Sequence, residues 1–214
     1  MYDSPVDYQS SWYLDEISIG DEWIRFEYAA ETLTYPVTIS ESSKLKVHGN
    51  DANTINSTCY NDNTVQSKRL SRIYSSNGYE ILFEVDPVAT RNDLNGSKKL
   101  NKAVVKFNNV FVTAFVFDHS YFGTNTKLKL NKVVQVDAYN NPVNQGQQFE
   151  YFSFGAFPAI NSKSQDYWGY YNGHNQTSLI PEYKDDLYHL NRTSQTIRTP
   201  ALNYGKVGTL SKIN

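Results

Sequence analysis

The stretch "LSRIYSSNGYEILFEV", Leu70 to Val85, decides the fold. It holds a Leu-x-x-Ile element (Leu70 to Ile73), a turn signal centred on Asn77 and Gly78, and a Phe-x-Val element (Phe83 to Val85). Asn-Gly gives the positive φ that a tight hairpin needs at little steric cost. The stretch therefore reads as a β-hairpin.

It is not alone. Leu-x-x-(Ile/Val/Ala) returns as "LDEI" (Leu14 to Ile17), "LNKA" (Leu100 to Ala103), "LNKV" (Leu130 to Val133) and "LSKI" (Leu210 to Ile213). The first four copies along the chain are each followed by a second element: "FEY" (Phe26 to Tyr28), "FEV" (Phe83 to Val85), "FVF" (Phe115 to Phe117) and "FEY" (Phe149 to Tyr151). Turn signals separate the two elements in the other copies as well: "IGDEW" (Ile19 to Trp23), "FNNV" (Phe107 to Val110) and "YNNPVNQGQ" (Tyr139 to Gln147). In "WIRFEYA", Ile24, Phe26 and Tyr28 share one face and Trp23, Arg25 and Glu27 the other, as a strand requires.

Five units are thus expected, starting near residues 12, 68, 98, 127 and 208, with a basic step of 30 residues and insertions at about 31–66 and 153–199. The expected fold is all-β, a single domain over residues 1–214 in which repeated antiparallel β-hairpins form a continuous curled sheet. The first insertion, rich in Asn, Ser and Thr, reads as a solvated loop with short extra strands at "YPVTIS" and "SKLKVHG". The second is long and aromatic-rich and contains "DYWGYYNGHNQTSLIP" (Asp166 to Pro181). In it "SLIPEYKDD" suggests one short helix, with Pro181 early and Tyr183, Leu187 and Leu190 on one side. The fifth unit stops after its first strand, which predicts a piece of a longer repeat polypeptide with an unpaired edge suited to dimerisation.

Composition supports strands: 17 Tyr and 11 Phe stand against one Met. The net charge is −2, and the most basic patch, "SKRLSR" (Ser67 to Arg72), is too small to track a phosphate backbone, so nucleic acid is not an expected partner. No apolar run approaches the roughly 18 residues of a membrane span, and "MYDSPVDYQSSWYL" lacks the regions of a signal peptide. Cys59 is the sole cysteine, which excludes an intrachain disulfide. The Asn, Ser, Thr and Tyr content is that of many extracellular β proteins.

The residues give no sign of an enzyme. His48, His119, His174 and His189 lie in four separate segments, and the nearest approach to a metal-ligand set, Asp185, Asp186 and His189, reads as solvated helix surface. Neither a metal nor another cofactor is expected. Glu27, Glu84 and Glu150 recur at one place in three second strands, a periodicity that suits a structural ladder better than a catalytic pair. No Gly-x-Ser-x-Gly is present, and Cys59 sits in a polar segment.

One cluster remains. Tyr167, Trp168, Tyr170 and Tyr171 offer flat amphipathic faces for sugar rings, with Asn172 and His174 as hydrogen-bonding neighbours, which would make a carbohydrate-binding module. The preferred reading is structural: the rings anchor the insertion on the face formed by Phe26, Phe83, Phe115 and Phe149.

A hairpin written Leu-x-x-Ile, a Gly-containing turn and Phe-x-Tyr resembles the YD repeat of RHS-type proteins. With "DYWGYYNG…SLIP" and "GTLSKI" after it, the chain from about Trp12 to Asn214 looks like the long RHS-related surface proteins of Bacteroidetes. The Asp-x-x-Gly-Arg linker of better-known YD units is not evident between these hairpins. The resemblance implies a secreted or surface-exposed scaffold, a non-catalytic structural segment of a larger protein whose curling sheet sometimes encloses a toxin domain. It implies no catalytic residues here.

Overall fold

A computed structural model describes residues 11–43, 55–123, 127–179 and 198–214. Among the described residues nine strands follow one another: β1 (Glu16–Ile19), β2 (Glu22–Ser43), β3 (Ile55–Ser75), β4 (Tyr79–Thr90), β5 (Lys98–Phe107), β6 (Val110–Phe122), β7 (Lys127–Val136), β8 (Gln147–Tyr151) and β9 (Leu210–Ile213). Each pairs antiparallel with the next, in unbroken chain order, so the sheet is open with β1 and β9 at its edges. One helical turn, α1 (Leu202–Gly205), precedes β9. The helix expected around Pro181 to Leu190 lies outside the described residues.

Turn chemistry sets the hairpins. Asn108 (φ 49°) and Asn109 (φ 64°) both take the left-handed region between β5 and β6, the pair of conformations that a type I′ hairpin turn demands. Gly78 (φ 89°) does the same work after Asn77.

The junctions between successive hairpins carry a finer rule. Phe26 lies opposite Ile73 and Tyr28 opposite Leu70, so three residues on β2 face four on β3, and Ser71 is the extra one. Phe83 and Val85 face Ala103 and Leu100 with Asn101 extra. Phe149 and Tyr151 face Ile213 and Leu210 with Ser211 extra. At the remaining junction Phe117 and His119 face Val133 and Leu130 with Asn131 extra. Each junction therefore contains a β-bulge, which returns both ends of Leu-x-x-Ile to one face. The bulge explains why a four-residue element matches a three-residue one.

It also corrects the third unit. The aromatic element there is Phe117-Asp118-His119 and not "FVF", because Phe115 lies opposite Ala103 within its own hairpin. With that shift, opposite charges stand across from each other by register at all four junctions, Glu27 and Arg72, Glu84 and Lys102, Asp118 and Lys132, and Glu150 and Lys212, with a side-chain ion pair at the first at 3.5 Å. The recurrent carboxylates are members of a cross-strand ladder, each facing a base.

Packing is thin. The most buried row runs across four strands, Leu82, Val104, Ala114 and Val136, with Phe111, Val116 and Val134 against it. Alternation puts that row on the face opposite Phe83 and Phe115. The four phenylalanines of the expected face, Phe26, Phe83, Phe115 and Phe149, do share a side by register but are only half-buried. The small residues Val104 and Ala114 make the driest row, while the large rings stay partly wet.

The first insertion departs most from expectation. Where it is described it is not a solvated loop: β2, which takes in the expected strand "YPVTIS", and β3 continue through it as a two-stranded ribbon paired from Glu31 and Ser67 out to Ser43 and Ile55, while "SKLKVHG" after Ser43 lies outside the described residues. Thr, Ser and Gln stabilise this ribbon by cross-strand side-chain bonds, Thr32 Oγ1 donating to Gln66 Oε1 at 2.9 Å and the Ser42 and Ser57 hydroxyls meeting at 2.6 Å. Pro36 falls within a register shift between Tyr35 and Thr38, where a missing N–H costs no ladder bond. The ribbon leaves β4 behind and crosses the β4–β5 connection, where Thr34 N donates to Asn95 O at 3.0 Å. Gly96 permits the crossing, since a Cβ there would lie 1.8 Å from Thr32 O.

Candidate functional site

Of the four rings predicted to hold the second insertion, Tyr171 alone is packed, and other rings do most of the holding. Phe157 stacks on Phe122 at 4.8 Å, and Phe122 meets Tyr151 edge-on at 5.2 Å. Tyr204 of α1 receives Phe154 at 5.0 Å and Tyr171 at 5.7 Å, both edge-to-face. Gly173 is required beneath that ring, because a Cβ would sit 2.5 Å from it.

Between these anchors the chain makes a tight turn built on Asp166. Its buried carboxylate accepts the N–H groups of Trp168 (2.8 Å) and Tyr170 (2.9 Å) on Oδ1, while Asp166 N donates to Tyr170 O at 2.8 Å. Gly169 closes the turn with φ 87° and its N–H on Asp166 O. The rings at the tip point outward: Tyr167 is 56% exposed, Trp168 78% and Tyr170 65%. They do not dock on the Phe26, Phe83, Phe115 and Phe149 face.

The six candidate residues thus separate. Tyr167, Trp168 and Tyr170 stand together in solvent at the turn tip. Tyr171 is half-buried against Tyr204. Asn172, 1% exposed, is a structural amide whose Nδ2 donates to Thr199 O at 3.4 Å and whose Oδ1 accepts His174 N at 3.2 Å. His174 itself is exposed.

A polar joint that the sequence did not announce ties the ribbon to this insertion. Glu41 on β2 accepts Lys163 Nζ, Ser178 Oγ (2.7 Å) and Leu179 N (2.7 Å). Burial works against its charge, and the Lys163 ammonium with the two hydrogen bonds outweighs burial, bringing the carboxyl down to about 2. Beside it the buried Arg198 donates to Gln165 O (3.2 Å) and Ser178 O (2.8 Å). Burial lowers its proton affinity, against the favourable fields of Tyr167 and Glu41. In one sequence nothing links Glu41 to residues more than 120 positions away, so no pattern reports the joint.

A second such pin lies on the sheet. Asp93 takes a two-pronged contact from Arg91 (3.0 and 2.7 Å) and accepts Leu128 N at 2.9 Å, locking the β4–β5 connection to β7. Burial opposes its charge, but Arg91 and the Leu128 N–H prevail and hold the carboxyl below its ordinary range. His119, pushed below the usual imidazole value by burial and by Lys99, is the aromatic-position residue of the third junction. Among the described residues no group of three or more His, Cys, Asp or Glu is placed to hold a metal ion. The set Asp185, Asp186 and His189 lies outside them. Among the described residues no helix is long and apolar enough to cross a membrane.

No family model, curated protein or solved structure matches this chain.

Proposed function

We propose that this chain is a non-catalytic scaffold segment of a larger secreted or cell-surface repeat polypeptide of the RHS/YD type. The observation that carries the reading is the shared register of the four junctions, each with a Phe-acid-x strand set against Leu-(Ser/Asn)-(Lys/Arg)-x through one bulge. A register repeated with its bulge and its charge pair serves extension, since each unit offers the next the surface it was itself built on. Catalysis calls for a singular arrangement of groups, and the carboxylates here are periodic.

The reading is tested by duplication. A chain with residues 100–129 copied once between Lys129 and Leu130 sets Phe117 opposite a second Ala103, a contact partner the register already accepts opposite Phe83. It is expected to fold as one cooperative unit, with a scattering profile lengthened by one hairpin and an unfolding midpoint no lower than the parent's. A duplicated chain that unfolds, or melts in separate steps, would contradict extension as the role of the fold.

A second reading has one specific support. Three exposed rings on a turn preorganised by Asp166 form a rigid aromatic tip, the type of surface on which sugar rings stack, so the turn at Trp168 is the candidate glycan contact of a carbohydrate-binding module. Glycan-array binding that disappears in Trp168→Ala at unchanged melting temperature selects it over a purely structural role.

A further inference from the structure

The fourth hairpin breaks the sheet's pattern in one place. The residue two positions before the junction phenylalanine is Ile24, Ile81 and Phe115 in the first three hairpins and Gln147 in the fourth. Strands β7 and β8 pair only through Lys132–Gln148 and Val133–Gln147, and beyond that point they splay. The gap between them is a groove of about 400 Å³ lined by Phe115, Val133 and Gln135 from the sheet and by Asn144, Gln145, Gly146 and Gln147 from the returning loop. A polar break in an otherwise apolar, periodic face is the kind of local inconsistency that function leaves behind.

The groove is preorganised. Gln135 donates from Nε2 to Thr113 Oγ1 at 3.0 Å and accepts Asn144 Nδ2 on Oε1 at 3.2 Å, and Asn144 Oδ1 in turn accepts Gly146 N at 2.9 Å. Gly146, φ 73°, brings the loop down on the strand where a Cβ would lie 2.5 Å from Val133 O. The loop's far end is fixed by Asp137, whose Oδ1 accepts the N–H groups of Tyr139 (2.9 Å) and Asn141 (2.8 Å).

We propose that this groove binds a neutral saccharide, with a ring seated on Phe115 and Val133 and its hydroxyls hydrogen-bonded by the amides of Gln145 and Gln147. No charged side chain lines the groove, which disfavours an anionic or cationic ligand. An extended peptide is disfavoured for a different reason: the free edge of β7 is already used, with Val143 N donating to Gln135 O at 2.9 Å and Val136 bridged to Pro142, so no main-chain ladder is on offer. What remains is an apolar floor with amides at its rim, both donors and acceptors, the complement of a polyhydroxylated ring. The site is separate from the turn at Trp168 and does not rest on it.

The test is side-chain amide NMR of the full chain, titrated with neutral hexasaccharides of glucose, mannose and xylose and with an anionic galacturonate hexamer, each to about 10 mM. At least one neutral probe is expected to shift the Gln145 and Gln147 amide resonances saturably, and the galacturonate is not. The double variant Gln145→Ala/Gln147→Ala, at exposed positions that keep the melting temperature, is expected to weaken that probe about tenfold, and Trp168→Ala to leave it unchanged. Overturning results are shifts by no neutral probe, equal response to galacturonate, binding that survives the double variant, or binding that is lost in Trp168→Ala instead.

Discussion

Phe117 faces Val133 across the junction between β6 and β7, and two residues farther His119 faces Leu130, which lies three residues before Val133. The extra residue, Asn131, bonds both sides of the joint: its Oδ1 accepts the Ser120 hydroxyl at 2.8 Å and its Nδ2 donates to Asp118 Oδ2 at 3.2 Å. At the first junction Ser71 holds the same position and donates to Glu27 O at 3.0 Å. A small polar residue after the leucine thus ties the bulge to the facing strand, through a backbone carbonyl at the first junction and through two side chains at the third.

The side chain of the bulge residue and its extra backbone position can therefore be tested apart. Asn131→Ala is expected to cost roughly 0.5 to 1.5 kcal/mol in chemical denaturation, the range of lost uncharged hydrogen bonds. Deletion of Asn131 leaves Leu130 and Val133 two positions apart, on one face of a regular strand, so the chain is expected still to unfold cooperatively, with the Phe117–Val133 contact kept and a loss of about the same size.

The ribbon is held by Glu41, and its release has a pH signature. A carboxyl whose folded pKa is about 2, below its ordinary 4.5, stabilises above pH 4.5, and that stabilisation is lost as pH falls toward 2. Hydrogen exchange of β2 and β3 amides beyond Thr34 is expected to accelerate over that window ahead of the Val104 and Ala114 amides. Glu41→Gln should reproduce the acceleration at pH 7, by roughly tenfold or more.

At the aromatic turn the ring and its support are predicted to separate. Trp168→Ala removes an exposed side chain and should change stability by no more than about 0.5 kcal/mol. Asp166→Ala strips two N–H groups of their acceptor and should cost roughly 1 to 3 kcal/mol by thermal denaturation.

The open edge of β1 carries Glu16 where the other four first strands carry Arg72, Lys102, Lys132 and Lys212. A Phe-Glu-Tyr strand laid there in the shared register sets two carboxylates face to face. A peptide copying Trp23 to Ala29 is expected to bind Glu16→Lys more tightly than the parent, by about twofold to fivefold in fluorescence anisotropy.

Much of this architecture was legible in the residues. Leu70, Gly78 and Phe83 give one hairpin, and repetition gives the order of the rest. The choice between Phe115 and Phe117 was not legible, because residues two apart share a face and alternation cannot rank them. The ribbon is not legible because residues such as Thr34, Ser42 and Ser57 are as common in loops as in polar strands, and only their partners across the ladder make them a ribbon. A large ring such as Trp168 suits a buried face, but the Asp166 turn aims it away. Gln147 announces its groove only once the register shows which position it occupies.

The register itself is the most direct test of the account. Cross-strand proton contacts measured by NMR should connect Phe26 with Ile73, Phe83 with Ala103, Phe117 with Val133 and Phe149 with Ile213, four equivalent pairs at four junctions. Contacts that instead place Phe115 against Val133, or pair any junction without its bulge, would contradict the repeat on which the scaffold reading stands.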